Sequence, residues 1–392
     1  MADKPSISLE EYISKSWDDL LINCEETEEH LYLPHPFIAP SVRRHNGFVF
    51  NEQFYWDTYF TIVGLKPAGK LEIVKGMVEN LLYLHDRLGY VPNSNARYHL
   101  GRSQPPLLSS MVLIIFEITN DVEWLSRAYS SVNHEYRNVW TANEYPHNRN
   151  VFRDLSRYYH ADQSHSGAED ESGWDYTTRF EDRAIDFLPI DLNSLLYKYE
   201  ADLAFIASIL EKKNEQSEWQ FLADKRKNTI NELMWHEKDG TFYDYDYVNE
   251  RQGRVKSLAA YTTMFSGLAD EMQAKKLVKN LPLFQTKHGL TTTPKDNNPI
   301  EGKQWTAPNG WAPLHLFVTE GLFRYEFKAE AESIMKSWIQ TVRAVYNKTG
   351  LVLEKYNMVN PFKPPTSAVY PDQTGFGWTN AVTAHYLSHL KQ

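Results

Sequence analysis

Helical periodicity dominates this chain, and long aromatic loops interrupt it; that combination leaves few folds open. Residues 195–211 (LLYKYEADLAFIASILE) place Leu195, Leu196, Tyr199, Leu203, Ile206, Ala207 and Leu210 on one stripe, with Lys198, Asp202 and Glu211 off it. Apolar residues recurring every three and four positions predict a helix with one face on a core. Segments 73–84, 106–118 and 327–346 read the same way. Ser8, followed three residues later by Glu11, predicts a capping box that opens a helix. Alternating strand patterns are scarce, and WHEKDGTFYDYDY at 235–247 predicts a turn or short hairpin between helices. The expected class is all-α.

The loops run over roughly 35–56, 90–105, 145–190, 286–312 and 354–378, and are rich in Trp, Tyr, Asn, Gly and Pro. Loops beyond about 12–15 residues are usually functional or disordered. Disordered segments tend to lack aromatics, so ordered loops gathered around one concave site are expected. The chain shows no sequence repeat and no low-complexity linker, and a single domain over 1–392 is expected.

Aromatic residues make up 14% of the chain, with 11 Trp and 24 Tyr. A core absorbs such rings; a carbohydrate cleft also collects them, because the C–H face of a sugar packs on a flat apolar surface. The formal charge of −10, with no long basic run, disfavours nucleic acid. A small neutral carbohydrate is the expected partner. Cys24 is the single cysteine, so an internal disulfide is excluded and no Cys cluster offers a metal site; no metal or cofactor is expected. The first twenty residues carry no apolar signal core, and no 18-residue apolar run suggests a membrane span, which makes the cytoplasm the expected location.

Two carboxylates draw notice. Asp175 sits in ESGWDYTTRF (171–180), where apolar surroundings beside Trp174 would raise its pKa and suit a general acid. A helix cap or a pair with Arg179 is the alternative. Glu354, in GLVLEKYN (350–357), ends an apolar run; it is either placed in a cleft or is the first solvated residue after the core. Glycoside hydrolysis needs two carboxyl groups, and these two are far apart in the chain. Three further stretches read as sugar clamps: FYWD (54–57), VPNSNARYHLGRSQPP (91–106) and KQWTAPNGWAPL (303–314). For their tryptophans the alternative is core packing, and for Arg102 holding its loop together.

At these segments the sequence resembles the trehalase family, glycoside hydrolases that cleave α,α-trehalose with inversion. The family's Tyr-Trp-Asp-Ser-Tyr-Phe run corresponds to Tyr55-Trp56-Asp57-Thr58-Tyr59-Phe60. Its Ile-Pro-Asn-Gly-Asn…Arg-Ser-Gln-Pro-Pro run corresponds to Val91-Pro92-Asn93-Ser94-Asn95 and Arg102-Ser103-Gln104-Pro105-Pro106. Glu171 to Asp175 match Glu-Ser-Gly-Trp-Asp, with Arg179 in register, and 189–193 match a further stretch. The second signature is Gln304-Trp305-Thr306-Ala307-Pro308-Asn309-Gly310-Trp311; Glu354-Lys355-Tyr356 and Gly375-Phe376-Gly377-Trp378-Thr379-Asn380 close the series. The matches run in family order from about 46 to 380. The resemblance implies an (α/α)6 barrel whose long aromatic loops form the cleft. It also implies Asp175 as general acid and Glu354 as general base, with sugar contacts from Phe50, Trp56, Asp57, Asn93, Arg102, Gln104, Gly173, Arg179, Gln304, Trp305 and Trp378.

Departures mark the same loops. Val49 stands where the family has an Arg, Thr306 replaces an Asp, Val369 replaces a Glu, and the family's Arg-Pro-Glu segment has no counterpart between Arg157 and Glu171. A hydrogen bond to a charged group contributes about 1.5–3 kcal/mol. Arg43, Arg44 and Arg97 lie close in sequence to the affected loops. The expected activity is inverting hydrolysis of α,α-trehalose; the alternatives are another small α-glucoside as substrate, or a non-catalytic sugar binder on the same scaffold.

Overall fold

The computed structural model describes residues 5–45, 48–296, 298–366, 370 and 372–391. Among them, twelve helices alternate between an inner and an outer ring. The inner helices are α2 (Tyr55–Leu65), α4 (Leu108–Thr119), α7 (Ile190–Ile209), α9 (Thr262–Ser266), α11 (Ala312–Arg324) and α13 (Gly377–His389). Each packs on the next, and α13 packs on α2 to close the circle. The outer helices are α1 (Leu9–Asp19), α3 (Leu71–Leu88), α5 (Val122–Glu135), α8 (Lys213–Met234), α10 (Glu271–Asn280) and α12 (Lys328–Thr349). A short helix, α6 (His165–Glu171), lies within the longest loop. This is the (α/α)6 arrangement.

Burial explains the two rings. The inner helix α2 is apolar nearly all round, and ten of its eleven residues are buried. Such a helix belongs in the middle of a core. Outer helices such as α3 and α12 bury one stripe each, Val74, Met77, Val78, Leu81 and Leu84 on α3. The closing contact between α2 and α13 needs Gly64, because a Cβ there would collide with the backbone of Ala381. Of the capping box expected at Ser8, the N-cap bond forms, the hydroxyl accepting the Glu11 N–H at 3.1 Å, while the Glu11 carboxylate accepts from Lys15 at 2.8 Å. The expected hairpin also forms, with Trp235–His236 antiparallel to Thr241–Phe242. No described helix is long and apolar enough to cross a membrane.

Short strands tie the loops together rather than building a large sheet. Asn309–Trp311 pairs antiparallel with Lys355–Asn357, and Thr177 bridges in parallel to Trp305. These pairings set the site.

Candidate active site

The loop strands bring Asp175 and Glu354 to one cavity. Gln304 and Trp305 donate backbone N–H bonds to Tyr176 O at 2.9 and 3.4 Å, locking the segment after Asp175 to the one before the strand 309–311. That strand holds Lys355 opposite Trp311, so Glu354 emerges beside it. The Glu354 backbone is fixed on both sides: its N–H donates to Gln373 O at 3.0 Å, and its carbonyl accepts from Trp378 Nε1 at 2.9 Å. Trp378 belongs to the first turn of α13, so an inner helix positions this carboxylate.

The cavity holds about 430 Å³. Phe50, Trp56, Asp57, Asn93, Arg102, Gln104, Gly173, Asp175, Trp305, Glu354 and Trp378 all line it. Gln104 also caps α2, its Oε1 accepting the Trp56 N–H at 3.1 Å. Asn93 is held at both ends: its N–H donates to Arg102 O and its carbonyl accepts from Tyr55 N. Trp56, Trp174, Trp305, Trp311 and Trp378 form one cluster beside the cavity, with Trp305 and Trp311 stacked 3.8 Å apart at 2°. Trp56, Trp305 and Trp378 are therefore core packing and cleft lining at once, while Trp174 and Trp311 pack behind them.

A hydrogen-bonded chain joins the two carboxyl groups. Gln304 Nε2 donates to Asp175 Oδ2 at 3.4 Å and to the Tyr370 hydroxyl at 3.2 Å; that hydroxyl donates to Glu354 Oε1 at 3.0 Å. Laid end to end, these links cap the distance from Asp175 Oδ2 to Glu354 Oε1 at about 10 Å. Gln304 is buried behind the wall and reaches the cavity through its partners. Burial, with Glu354 nearby, pushes the Tyr370 phenol well above its ordinary value, so it stays a donor. Glu354 Oε2 accepts from Lys355 Nζ at 2.9 Å, and this fully buried ammonium also meets Asp372 at 3.3 Å.

Burial, then the charges of Asp170 and Glu354, push the Asp175 carboxyl up to about 7. Asp57 is also pushed well above the ordinary range by burial, with Glu354 and Asp175 adding to it. Three carboxyl groups gathered this closely do not all ionise together. The site can thus present a protonated carboxyl and a carboxylate to one bound molecule. Tyr370, Lys355 and Asp170 shape this chemistry without having been singled out as site residues. Lys355 stood within a quoted motif and Tyr370 next to the departure at Val369, but their roles depend on contacts that local spacing does not encode.

Arg179 is placed differently from the expected sugar contact. Its guanidinium is fully buried and makes paired bonds to Asp191 (2.6 and 3.1 Å) and Asp244 (2.7 and 3.1 Å). It also lies 4.4 Å over the Trp174 ring. With four of its five N–H donors on these two carboxylates, it does not line the cavity; it latches the Asp175 loop to the first turn of α7. This also disposes of an Asp175–Arg179 pair. Of the departures, Val49 lines the cavity, whereas Thr306 is buried against Thr293 at 3.1 Å. Arg97 turns away to Thr27 O and Glu26. Val369 and the side chains of Arg43 and Arg44 lie outside the described residues.

Gly173 shows why its position tolerates no side chain. Its φ is +71°, and a Cβ would stand 2.7 Å from the Trp56 ring. Gly173→Ala combines left-handed strain with overpacking and is expected to cost about 2 kcal/mol or more. Denaturant unfolding measures the loss, and activity falls with it because Asp175 lies two residues on.

Comparison with known proteins agrees with this fold. The chain superposes on neutral trehalase Nth1 from Saccharomyces cerevisiae with a TM-score of 0.80 and 27% identity, covering 99% of this chain and 80% of that one. It shares its fold with a GH63 mannosylglycerate hydrolase from Thermus thermophilus solved with glucose, at TM-score 0.70, 16% identity, and coverage of 97% and 100%. A rhamnosidase from Klebsiella oxytoca superposes with a TM-score of 0.61 at 12% identity, covering 100% of this chain and 66% of that one. The match to the Trehalase family extends over residues 3–167 and 163–391. With nearly the whole length accounted for, and the quoted motifs meeting around one cavity, this chain belongs to the Trehalase family of glycoside hydrolases.

Proposed function

We propose that the protein hydrolyses α,α-trehalose to glucose with inversion. The observation that carries the reading is the pair Asp175 and Glu354 on one cavity, joined through Gln304 and Tyr370. Inverting glycosidases hold their carboxyl groups about 6.5–9.5 Å apart, which the hydrogen-bonded chain accommodates. Asp175 protonates the glycosidic oxygen. Glu354 takes a proton from water, which attacks the opposite face of the sugar. Gln304, donating to Asp175 Oδ2, leaves Oδ1 to carry the proton toward the leaving oxygen. Trp56 supplies a flat apolar face, and Asp57, Asn93, Arg102 and Gln104 meet the hydroxyls.

Proton NMR of trehalose with the purified protein tests this, following both anomers of released glucose. Equal early release of α- and β-glucose is expected, since one half inverts and the other departs unchanged. Release of α-glucose alone would refute inversion, and no release would refute trehalose as substrate. A panel of α-linked disaccharides then locates the substrate if trehalose is not the best.

The raised Asp175 carboxyl sets a pH expectation. The acid works only while protonated, so kcat/KM should fall as pH rises through about 7. An unperturbed aspartate would place this limb at about 4 instead. Asp170→Asn removes the second-largest cause of the upward shift and frees Arg102, which lies 3.7 Å from Asp170. Both effects favour the ionised acid, so the alkaline limb should move to lower pH. A limb that stays in place would show that burial and Glu354, without Asp170, tune Asp175.

A further inference from the structure

One wall of the cavity is an unbroken series of rings. Trp378 meets Phe376 at 4.7 Å, Phe376 meets Phe50 at 6.1 Å, and Phe50 meets Phe54 at 6.1 Å. Phe54 meets His99 at 5.4 Å, and His99 meets Tyr98 at 4.2 Å. All six line the cavity. The series starts at Trp378, 6% exposed and bonded to the Glu354 carbonyl, and ends at Tyr98, 64% exposed. It therefore leads from the reacting centre out to solvent.

Most of the polar atoms on this wall are already committed. Tyr98 OH donates to Glu52 Oε1 at 2.8 Å, and His99 Nδ1 is bonded to the Ser94 hydroxyl at 2.7 Å. Burial, with Arg102 adding to it, pushes His99 down to about 3, so its ring is neutral. Val49 adds an aliphatic side chain to the cavity. Among the described residues, Arg102 is the one Lys or Arg lining it, and it stands 3.7 Å from Asp170. A second sugar ring needs polar partners for its hydroxyls, whereas a flat apolar group needs none and gains from ring stacking.

We propose that this wall receives the leaving group and that it takes a flat, uncharged aglycone, which makes aryl α-D-glucosides a further substrate class. The proposal rests on Asp175 as acid and Glu354 as base. The bond from C1 to the phenolic oxygen breaks, and the Asp175 proton goes to that oxygen. The water oxygen bonds to C1, and its proton goes to Glu354; glucose and a phenol are released.

Two sulfur-linked probes separate binding from turnover: phenyl and methyl 1-thio-α-D-glucopyranoside, titrated calorimetrically into the wild-type protein. The phenyl probe is expected to bind at least about tenfold more tightly, as burial of one aromatic ring allows. Tyr98→Ala, at the exposed end of the series, should cut that ratio several-fold. Equal affinities, or a ratio unmoved by Tyr98→Ala, would overturn the proposal. Phenyl α-D-glucoside is then assayed for release of phenol and glucose beside trehalose. Turnover of both supports the proposal. Cleavage of trehalose with no preference for the phenyl probe overturns it and leaves the hydrolase reading standing. Tight phenyl binding with neither substrate cleaved overturns the hydrolase reading, and the aryl substrate class with it.

Discussion

Glu354→Gln should slow hydrolysis whatever the leaving group, whereas the loss in Asp175→Asn should depend on the leaving group. General acid or base catalysis contributes roughly 10²–10⁴-fold, and each variant is expected to lose about that much kcat on trehalose. The two separate on α-glucosyl fluoride, whose leaving group departs without a full proton transfer. There Asp175→Asn should retain most of its activity, because the missing proton is hardly needed. Glu354→Gln should lose as much as it does on trehalose, because water still has to be activated. Parallel kcat measurements on the two substrates decide the assignment. Equal losses in both variants on both substrates would mean that the carboxyl groups act as a structural unit. Recovery in Glu354→Gln alone would exchange the two roles. The structure favours the roles given: Asp175 is pushed up to about 7, and Glu354 accepts from Lys355 and Tyr370.

Arg179→Met is the second large effect. Its guanidinium stands between Asp191 and Asp244, and all three side chains are nearly inaccessible. The two carboxylates are tolerable because the cation bridges them and because α7 begins there. Asp191 is in the first turn of α7, and Asp244 accepts the Ile190 N–H at 2.9 Å. A helix N-terminus favours negative charge. Removing the cation leaves two buried carboxylates uncompensated, and breaking such a pair costs about 3–5 kcal/mol. Denaturant unfolding should show that loss, and kcat should fall as the Asp175 loop comes free. Arg179→Lys should recover part of the stability, since one ammonium cannot make both paired contacts. A variant of wild-type stability with a raised KM would instead restore Arg179 as a sugar contact.

Some elements were legible because their causes are local. The stripe at 195–211, the Ser8 cap and the hairpin at 235–247 rest on neighbours within a few positions, and all three form. The start of α7 was not legible. The helix opens earlier, at Ile190, with Asp191 and Asn193 buried in its first turns. Those residue types read as loop until their partners are known: Asn193 exchanges bonds with the Ser156 backbone at 2.8 and 2.9 Å. Helix α6 was hidden for the same reason. Glu171, at its end, accepts from Arg149 and from the N–H groups of Ser103 and Tyr159 at 2.7 Å.

The sequence by itself determined the helical class, the long ordered aromatic loops and, through its motifs, the family and the candidate carboxylates. Periodicity, capping and motif content are written in residues a few positions apart. The tertiary structure decided which of those residues meet. It put Arg179 in a buried latch rather than in the cavity, placed Tyr370 and Lys355 on Glu354, and turned Trp56, Trp305 and Trp378 into core and cleft at once. These outcomes follow from pairings such as Gln304 with Tyr176 and Lys355 with Trp311. The energy of each pairing depends on burial and on the one geometry that satisfies every donor, and neither exists until the ring of helices has closed.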